Sequence, residues 1–422
     1  MKPILRKRNE RLTKAFKEFF DSEKSSAVVL VACTVVSLLL ANIIGQAYPD
    51  FYLRTYLGVE GFLRLSVEHW INDALMVIFF LFIGLELERE LYAGELSNVR
   101  NALLPIFGAI GGLALPAVIH FGFNAGTPTQ AGIGIPMATD IAFAIGVLAL
   151  LGSRVPASLK VFLVALAVMD DLGAIIIIAI FYTAELSLVY LGLALGVFAL
   201  LIAINRLGVM SLIPYVIGGL FMWFFMLKSG VHATIAGVLL AFAIPFTHKR
   251  DDEKSPSYRL EHLIHKPVAF IILPIFALAN TGIVIGGDWA ADLSTTNSLG
   301  IILGLVVGKP IGITLVAFIA VMVGICRLPL DLNWKHVLGA GFLGGIGFTM
   351  SIFITNLAFV GGSPDFVSAT VNSSKMAILV ASVTAGALGF IFLKLFGQPN
   401  VGDFDMDTMD YAVDEDGEEQ PA

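Results

Sequence analysis

Charge is what this chain has least of. Of its 422 residues, 14% are Asp, Glu, Lys or Arg and 57% are hydrophobic, whereas a soluble domain usually carries about 25% charge. The shortage excludes a soluble fold, because most of the length must be spent in a bilayer. Cysteine is nearly missing too. Cys33 and Cys326 lie in or beside apolar segments, and their spacing suits neither a disulfide framework nor a metal site. The net charge of −7 is uneven, with residues 1–24 basic and Asp and Glu crowding 403–419. Neither end has the makings of a nucleic-acid module. Arginine is absent from the depths of the apolar runs, which weighs against carriage of a larger organic solute.

What remains is a succession of apolar runs. They predict an all-α membrane protein with about twelve spans, near 26–45, 69–91, 101–123, 129–150, 157–181, 187–206, 209–227, 230–246, 263–285, 298–324, 336–360 and 371–396. The first run, Ala27 to Ile44, is too long for a signal-peptide core and lacks a small-residue cleavage site, so it reads as a retained helix. Residues 48–66, around Gly58 and Gly61, alternate polar and apolar and fit a short external hairpin. Most basic residues fall in connections on one side, among them Arg89, Arg100, Arg154, Lys160, Arg206, Lys266, Arg327, Lys335 and Lys394. The opposite side has only Arg54, Arg64 and Lys228. By the positive-inside rule both termini are cytoplasmic. Residues 1–25 then form a basic amphipathic N-terminus, with Leu12, Phe16, Phe19 and Phe20 among lysines. Residues 26–397 form the transmembrane domain, and 398–422 an acidic, disordered cytoplasmic tail.

This topology contains an inverted repeat. Spans three to five start from the cytoplasm and spans ten to twelve from outside. The fourth and eleventh each carry a glycine-rich interruption, Gly132-Ile-Gly-Ile-Pro136 before Asp140 and Gly344-Gly-Ile-Gly347 before Thr349. Weakened helices at matching positions of opposed triplets point to a transporter site. The plainer reading is that small residues let membrane helices pack closely.

The deepest charges give that site its chemistry. Asp170 and Asp171 are consecutive and sit mid-way along Ala157 to Phe181, where each ionised acid costs about 2.5–3.5 kcal/mol to insert. They read as a protonatable ion site, or else as neutral acids hydrogen-bonded inside the bundle. Asp140 lies roughly 16 Å into its span at 1.5 Å per residue. There Thr139 and unwound carbonyls offer oxygen to a hard cation. Lys309 is roughly a dozen residues from either end of its span, too deep to snorkel, and pairs with Asp170 or Asp171, as a working partner or as a static salt bridge. At the cytoplasmic mouth, Glu86, Glu88, Arg89 and Glu90 end the second span, while Glu261, His262 and His265 stand in a later connection. They form a pH-responsive cluster or ordinary solvated helix ends. His232, after Lys228-Ser-Gly-Val at the external start of a span, reads as a hydrogen-bonded packing residue.

Six stretches taken together resemble the NhaA family of bacterial sodium/proton antiporters. They are Ala138-Thr-Asp-Ile-Ala-Phe-Ala144, Val168-Met-Asp-Asp-Leu-Gly173, Leu227-Lys-Ser-Gly-Val-His-Ala-Thr234, Leu260-Glu-His262, Gly308-Lys-Pro310 and Gly345-Ile-Gly-Phe-Thr-Met-Ser351. The resemblance implies twelve helices with the fourth and eleventh unwound and crossing. It implies that Asp170 and Asp171 bind sodium and carry protons, that Asp140 and Thr139 stand at the crossing, and that Lys309 pairs with Asp170. Glu86, Arg89, Glu90, His232, Glu261, His262 and His265 match positions tied to pH response. The implied activity is electrogenic exchange of external protons for internal sodium or lithium, with more protons moving than cations. It comes with no cofactor, no enzymatic activity, a homodimer joined through the external hairpin at about 48–66, and a place in the bacterial inner membrane. One departure stands out: the family often has lysine where this chain has Glu88, so its mouth is more acidic.

The rivals are a proton-coupled carrier of a small organic solute, a cation channel and an intramembrane enzyme. Lys309 among the acids argues against a freely conducting cation pore. The prenyl-transfer pattern Asp-Asp-x-x-Asp fails at Leu172-Gly-Ala174, and no Gly-x-Gly-Asp turn of an intramembrane aspartyl protease precedes Asp140 or Asp170.

Overall fold

The computed structural model describes residues 25–60, 63–94, 97, 99–182, 186–247, 255–359 and 363–398. The basic N-terminal stretch and the acidic tail past residue 398 lie outside the described residues. Among the described residues, nine helices are individually long and apolar enough to cross a bilayer. They are Ser25–Ile44, Val67–Tyr92, Ala102–Asn124, Pro128–Leu151, Ala157–Phe181, Leu188–Arg206, Pro256–Asn280, Thr296–Met322 and Asp365–Phe396. A tenth crossing is made by two shorter helices, Trp334–Gly344 and Phe348–Ala358, bent by 49° where they meet.

Two of the expected spans fall short. Ile213–Ser229 has 17 residues and Ile235–Ala243 has 9, so the second reaches only about 14 Å into a core of roughly 30 Å. The continuous span expected over 230–246 does not form. Gly230 takes a left-handed φ of 84° and closes the preceding helix, a conformation that favours glycine. His232 therefore sits in a connecting turn rather than in a helix.

Burial sorts the helices into centre and periphery. Leu188–Arg206 buries only Ala194 and Leu201, and its other apolar side chains suit a lipid-facing surface. Ala157–Phe181 buries residues along most of its length, Asp170 and Asp171 included. The main core draws on helices from Leu30 to Leu393, and a smaller one gathers Leu85, Leu201, Tyr215, Met222, Leu240 and their neighbours.

The third segment, Val99–Asn124, packs along Lys309–Met322 of the tenth. The approach is close because both sides are glycine. A Cβ built on Gly111 would stand 2.0 Å from the Gly312 carbonyl oxygen, and one on Gly312 would stand 2.2 Å from that of Gly111. Gly312→Val forces the helices apart just past Lys309 and is expected to cost about 1–3 kcal/mol, the usual range for overpacking. A thermal melt of the purified variant reads the cost, and an unchanged midpoint would show a looser crossing.

The connection at 48–66 holds the helix Ala47–Arg54 and the antiparallel strands Tyr56–Val59 and Leu63–Ser66, paired Tyr56 to Ser66 through Val59 to Leu63. Trp70 Nε1 donates to Leu57 O at 3.1 Å and ties the ribbon to the start of the next span. The hairpin read from the alternating sequence is present, as the one β-sheet among the described residues.

Candidate ion-binding site

The two interrupted segments meet inside the core. Gln130–Met137 forms a tight 3-10 helix containing Pro136, residues 138–140 are extended, and Ile141–Leu151 resumes as α-helix. The break read from the glycines at 132–136 thus falls just after them. Three-residue winding accommodates a proline that an α-helix interior resists. The partner segment breaks at 345–347. Such breaks free backbone groups that lipid cannot satisfy, and here each break serves the other. Asp140 N donates to Ile346 O at 2.6 Å, and Ser351 Oγ donates to Ile135 O at 2.7 Å.

Asp140 sits between two helix N-termini. Its Oδ1 accepts from Phe143 N at 3.1 Å, capping Ile141–Leu151. Its Oδ2 accepts from Thr349 N at 3.0 Å and from Thr349 Oγ1, at the start of Phe348–Ala358. Each N-terminus carries roughly half a positive charge, so one carboxylate offsets both.

Beside this crossing lies a fully buried ion pair. Lys309 Nζ bonds Asp170 Oδ2, and both side chains are 0% exposed. Lys309 Nζ also donates to Thr139 Oγ1 at 2.9 Å. Thr139 Oγ1 lies 2.6 Å from Asp170 Oδ2 and 2.8 Å from Gly344 O, so its single proton serves one of them at a time. Of the two candidate partners for Lys309, the structure selects Asp170. The remaining acid is different. Both carboxylate oxygens of Asp171, and Asp170 Oδ1, are buried without a hydrogen-bond donor among the described residues. An ionised carboxylate is acceptor-only, and leaving it unpaired in the core is costly. The occupant these three oxygens fit is a proton or a hard cation.

A cavity lined by Phe79, Phe82, Ile83, Glu86, Ile141, Ile145, His265 and Leu273 reaches Ile141, the residue next to Asp140. At its rim, Arg89 draws three acids together: Glu261 at 2.9 Å, Glu90 at 3.1 Å and Glu86 at 4.0 Å. His265 stacks on Phe82 at 5.4 Å, and His262 lies exposed on Tyr258 at 4.0 Å. His232 does not join them. Its Nδ1 lies 4.0 Å from Asp73 Oδ1, and Asp73 precedes Glu86 by 13 residues of the same span, about 20 Å along a helix.

Two buried acids stand apart from what the sequence indicated: Glu88 was grouped with the charges of the mouth, and Asp73 carried no assigned role. Glu88 is buried, 5% exposed, and accepts from Ser257 Oγ at 2.8 Å. Asp73 is buried as well and holds Trp223 Nε1 on its carbonyl at 2.9 Å. An acid six residues into an apolar helix was the available signal for Asp73, whereas Glu88 looked like any other charge at a helix end.

Comparison with known proteins adds an independent finding. The family described as Na+/H+ antiporter 1 matches residues 17–393. A Na(+)/H(+) antiporter NhaA of Dechloromonas aromatica is 68% identical over 390 residues, which cover 92% of this chain and 97% of that protein. Proteins of the same name from Flavobacterium psychrophilum and Cytophaga hutchinsonii are 57% and 58% identical, each over 91% of this chain and over 97% and 96% of their own lengths.

Proposed function

The chain belongs to the Na+/H+ antiporter 1 family, and on that premise we propose that it exchanges sodium or lithium for protons at Asp170 and Asp171 by alternating access. The observation that carries the reading is the asymmetry of the pair: Asp170 is held by Lys309, while Asp171 presents two buried oxygens with no protein donor among the described residues. Sodium is the transported substrate. Bound there, it draws on Asp171 and on the free Asp170 oxygen and weakens the hold of Lys309 on Asp170. Protons returning to the carboxylates expel the cation and restore the pair. One cation cannot share the site with the protons that neutralise the same oxygens, and that exclusion couples the two flows. More protons than cations move per cycle, which makes the exchange electrogenic.

Thr139 and Asp140 support this chemistry. Thr139 connects Lys309, Asp170 and the Gly344 carbonyl, so it registers any change at Asp170 on the broken helices. Asp140 already accepts three bonds at the crossing, and its charge steadies the two N-termini that move. The organic-solute alternative finds no support, since the cavity wall is mainly apolar and has no arginine among the described residues.

The domain boundaries at residues 25 and 397, cytoplasmic termini, insertion in a bacterial inner membrane and absence of catalytic chemistry belong to the same reading. So does a homodimer in which the exposed strand Tyr56–Val59 offers an unpaired edge to a second copy. The rim cluster of Glu86, Arg89, Glu90, Glu261, His262 and His265 sets the pH response, with His232 acting from the opposite side. Glu88→Lys is expected to shift the pH of half-maximal exchange without abolishing it, because it breaks the Ser257 contact and adds a cation beside Arg89. Total loss with no shift would instead assign Glu88 to folding.

Everted vesicles holding a proton gradient and a pH-sensitive dye test the function directly. Sodium or lithium should dissipate the gradient, and potassium far less. Equal responses to all three, or none, would refute antiport.

A further inference from the structure

Three asparagines, one from each of three elements, are joined by hydrogen bonds inside the bundle. Asn280 is the hub. Its Nδ2 donates to Asn72 Oδ1 at 3.0 Å, and its Oδ1 accepts from Asn356 Nδ2 at 2.6 Å and from Asn72 Nδ2 at 3.4 Å. Asn72 and Asn280 are buried, at 8% and 1% exposed. We infer that Asn72, Asn280 and Asn356 form a polar gate, closed while the site faces the cavity and broken when it turns to the opposite side. The inference rests on the antiport reading and adds to it the residues that separate the two exposures.

The placement supports this. Asn72 lies seven residues before Phe79, and Asn280 seven after Leu273, the cavity-lining residues nearest to each. Seven helical residues span about 10 Å, so the cluster stands beyond those lining residues. Asn356 lies seven residues after Thr349 on the same 11-residue helix. Two turns bring a residue back to nearly the same face. One short rod therefore bonds Asp140 at its start and Asn280 near its end. Movement of the broken helix during ion exchange acts on both contacts together. Asn72 falls in the π-helical turn Trp70–Leu75, and Asn280 ends its helix. Neither is held in the middle of a regular α-helix.

The chemistry fits a contact that must open. An apolar seam of this size would be costly to wet. Amides exchange one another for water at a small net cost, about 3- to 10-fold in an equilibrium per bond. A buried polar cluster among phenylalanines such as Phe276 and Phe353 is an expensive static filler and an inexpensive latch.

Sided labelling tests the gate without relying on transport. Ile352→Cys, in a Cys33→Ser and Cys326→Ser background, places a thiol one turn before Asn356 at a position that is 0% exposed. A membrane-impermeant maleimide is applied to whole cells and to everted vesicles. Asn356→Ala is expected to speed labelling from the outer, Asn72 face by about 3- to 10-fold, the ratio that one net hydrogen bond makes in an equilibrium. Labelling from the cavity face should not rise. Asn356→Ser, whose hydroxyl is too short to reach Asn280, should act in the same direction and serves where the alanine variant aggregates. Unchanged outer labelling in a monodisperse variant would overturn the gate. Equal acceleration from both faces would mark a general loosening and overturn it as well. Sodium-driven exchange by the unmodified chain is measured alongside. Its failure would refute the antiport reading while leaving the labelling result to stand by itself.

Discussion

Asp171→Asn is expected to abolish sodium-driven proton exchange while leaving the fold intact. The substitution is nearly isosteric at a side chain whose oxygens contact no donor among the described residues, so no protein hydrogen bond is lost there. The removed charge is what a cation requires, and the amide introduces donors that repel it. The amide also cannot carry a proton across. Both halves of the exchange fail together, and the loss should reach the background of vesicles without the protein. Size-exclusion profile and melting midpoint should stay near those of the parent. Residual exchange above a tenth of the parent's rate would relocate the binding charge to another deep acid, Asp170 or Asp140.

Lys309→Ala is expected to have the largest effect on stability. Lys309 and Asp170 are both 0% exposed and paired, and removing one partner of a buried pair typically costs about 3–5 kcal/mol, because a charge is left uncompensated. The same substitution removes a donor to Thr139 and so loosens the link to the Gly344 carbonyl. The destabilisation has a pH sign. At high pH Asp170 is ionised and unpaired, and the full cost applies. At low pH it takes up a proton, becomes neutral, and most of the cost is relieved. The melting midpoint of Lys309→Ala should therefore fall further below the parent's as pH rises. A deficit independent of pH would show that the lysine contributes packing rather than charge.

How much of this was readable in advance follows from what each residue does to a hydropathy pattern. Asp170, Asp171 and Lys309 interrupt long apolar runs, and a charge in such a place has few explanations. Their depth and approximate partnership followed from spacing alone, whereas the choice of Asp170 over Asp171 came only from the family resemblance. Consecutive residues lie about 100° apart on a helix, so spacing leaves both open, and in the fold the packing of Thr296–Met322 against its neighbours brings Asp170 to the lysine. The two broken helices were announced by glycine and proline, yet the extended stretch settled at 138–140, where Asp140 finds donors from both N-termini. Glu88 was read as part of a solvated mouth and is in fact buried against Ser257. A helix-end charge gives no sign of which neighbour will cover it.

The short Ile235–Ala243 helix was misjudged for a related reason. Val231 to Pro245 is apolar but for His232 and Thr234, so hydropathy sees one span, while Gly230 and the turn holding His232 consume its first residues. The asparagine cluster was silent altogether. An uncharged amide in an apolar run demands no counter-charge and so names no partner, and Asn72, Asn280 and Asn356 are separated by up to 284 positions. Only the folded chain brings them within hydrogen-bond reach.

The central claim is that sodium and protons compete for the same carboxylates. Titration calorimetry of the purified protein with sodium, repeated across pH, tests it most directly. While one proton competes, the apparent sodium affinity should rise about tenfold per pH unit and then level off once the site has lost its proton, with protons released in proportion to the heat. A sodium affinity that stays flat across the whole range, or that survives Asp171→Asn, would contradict the shared site.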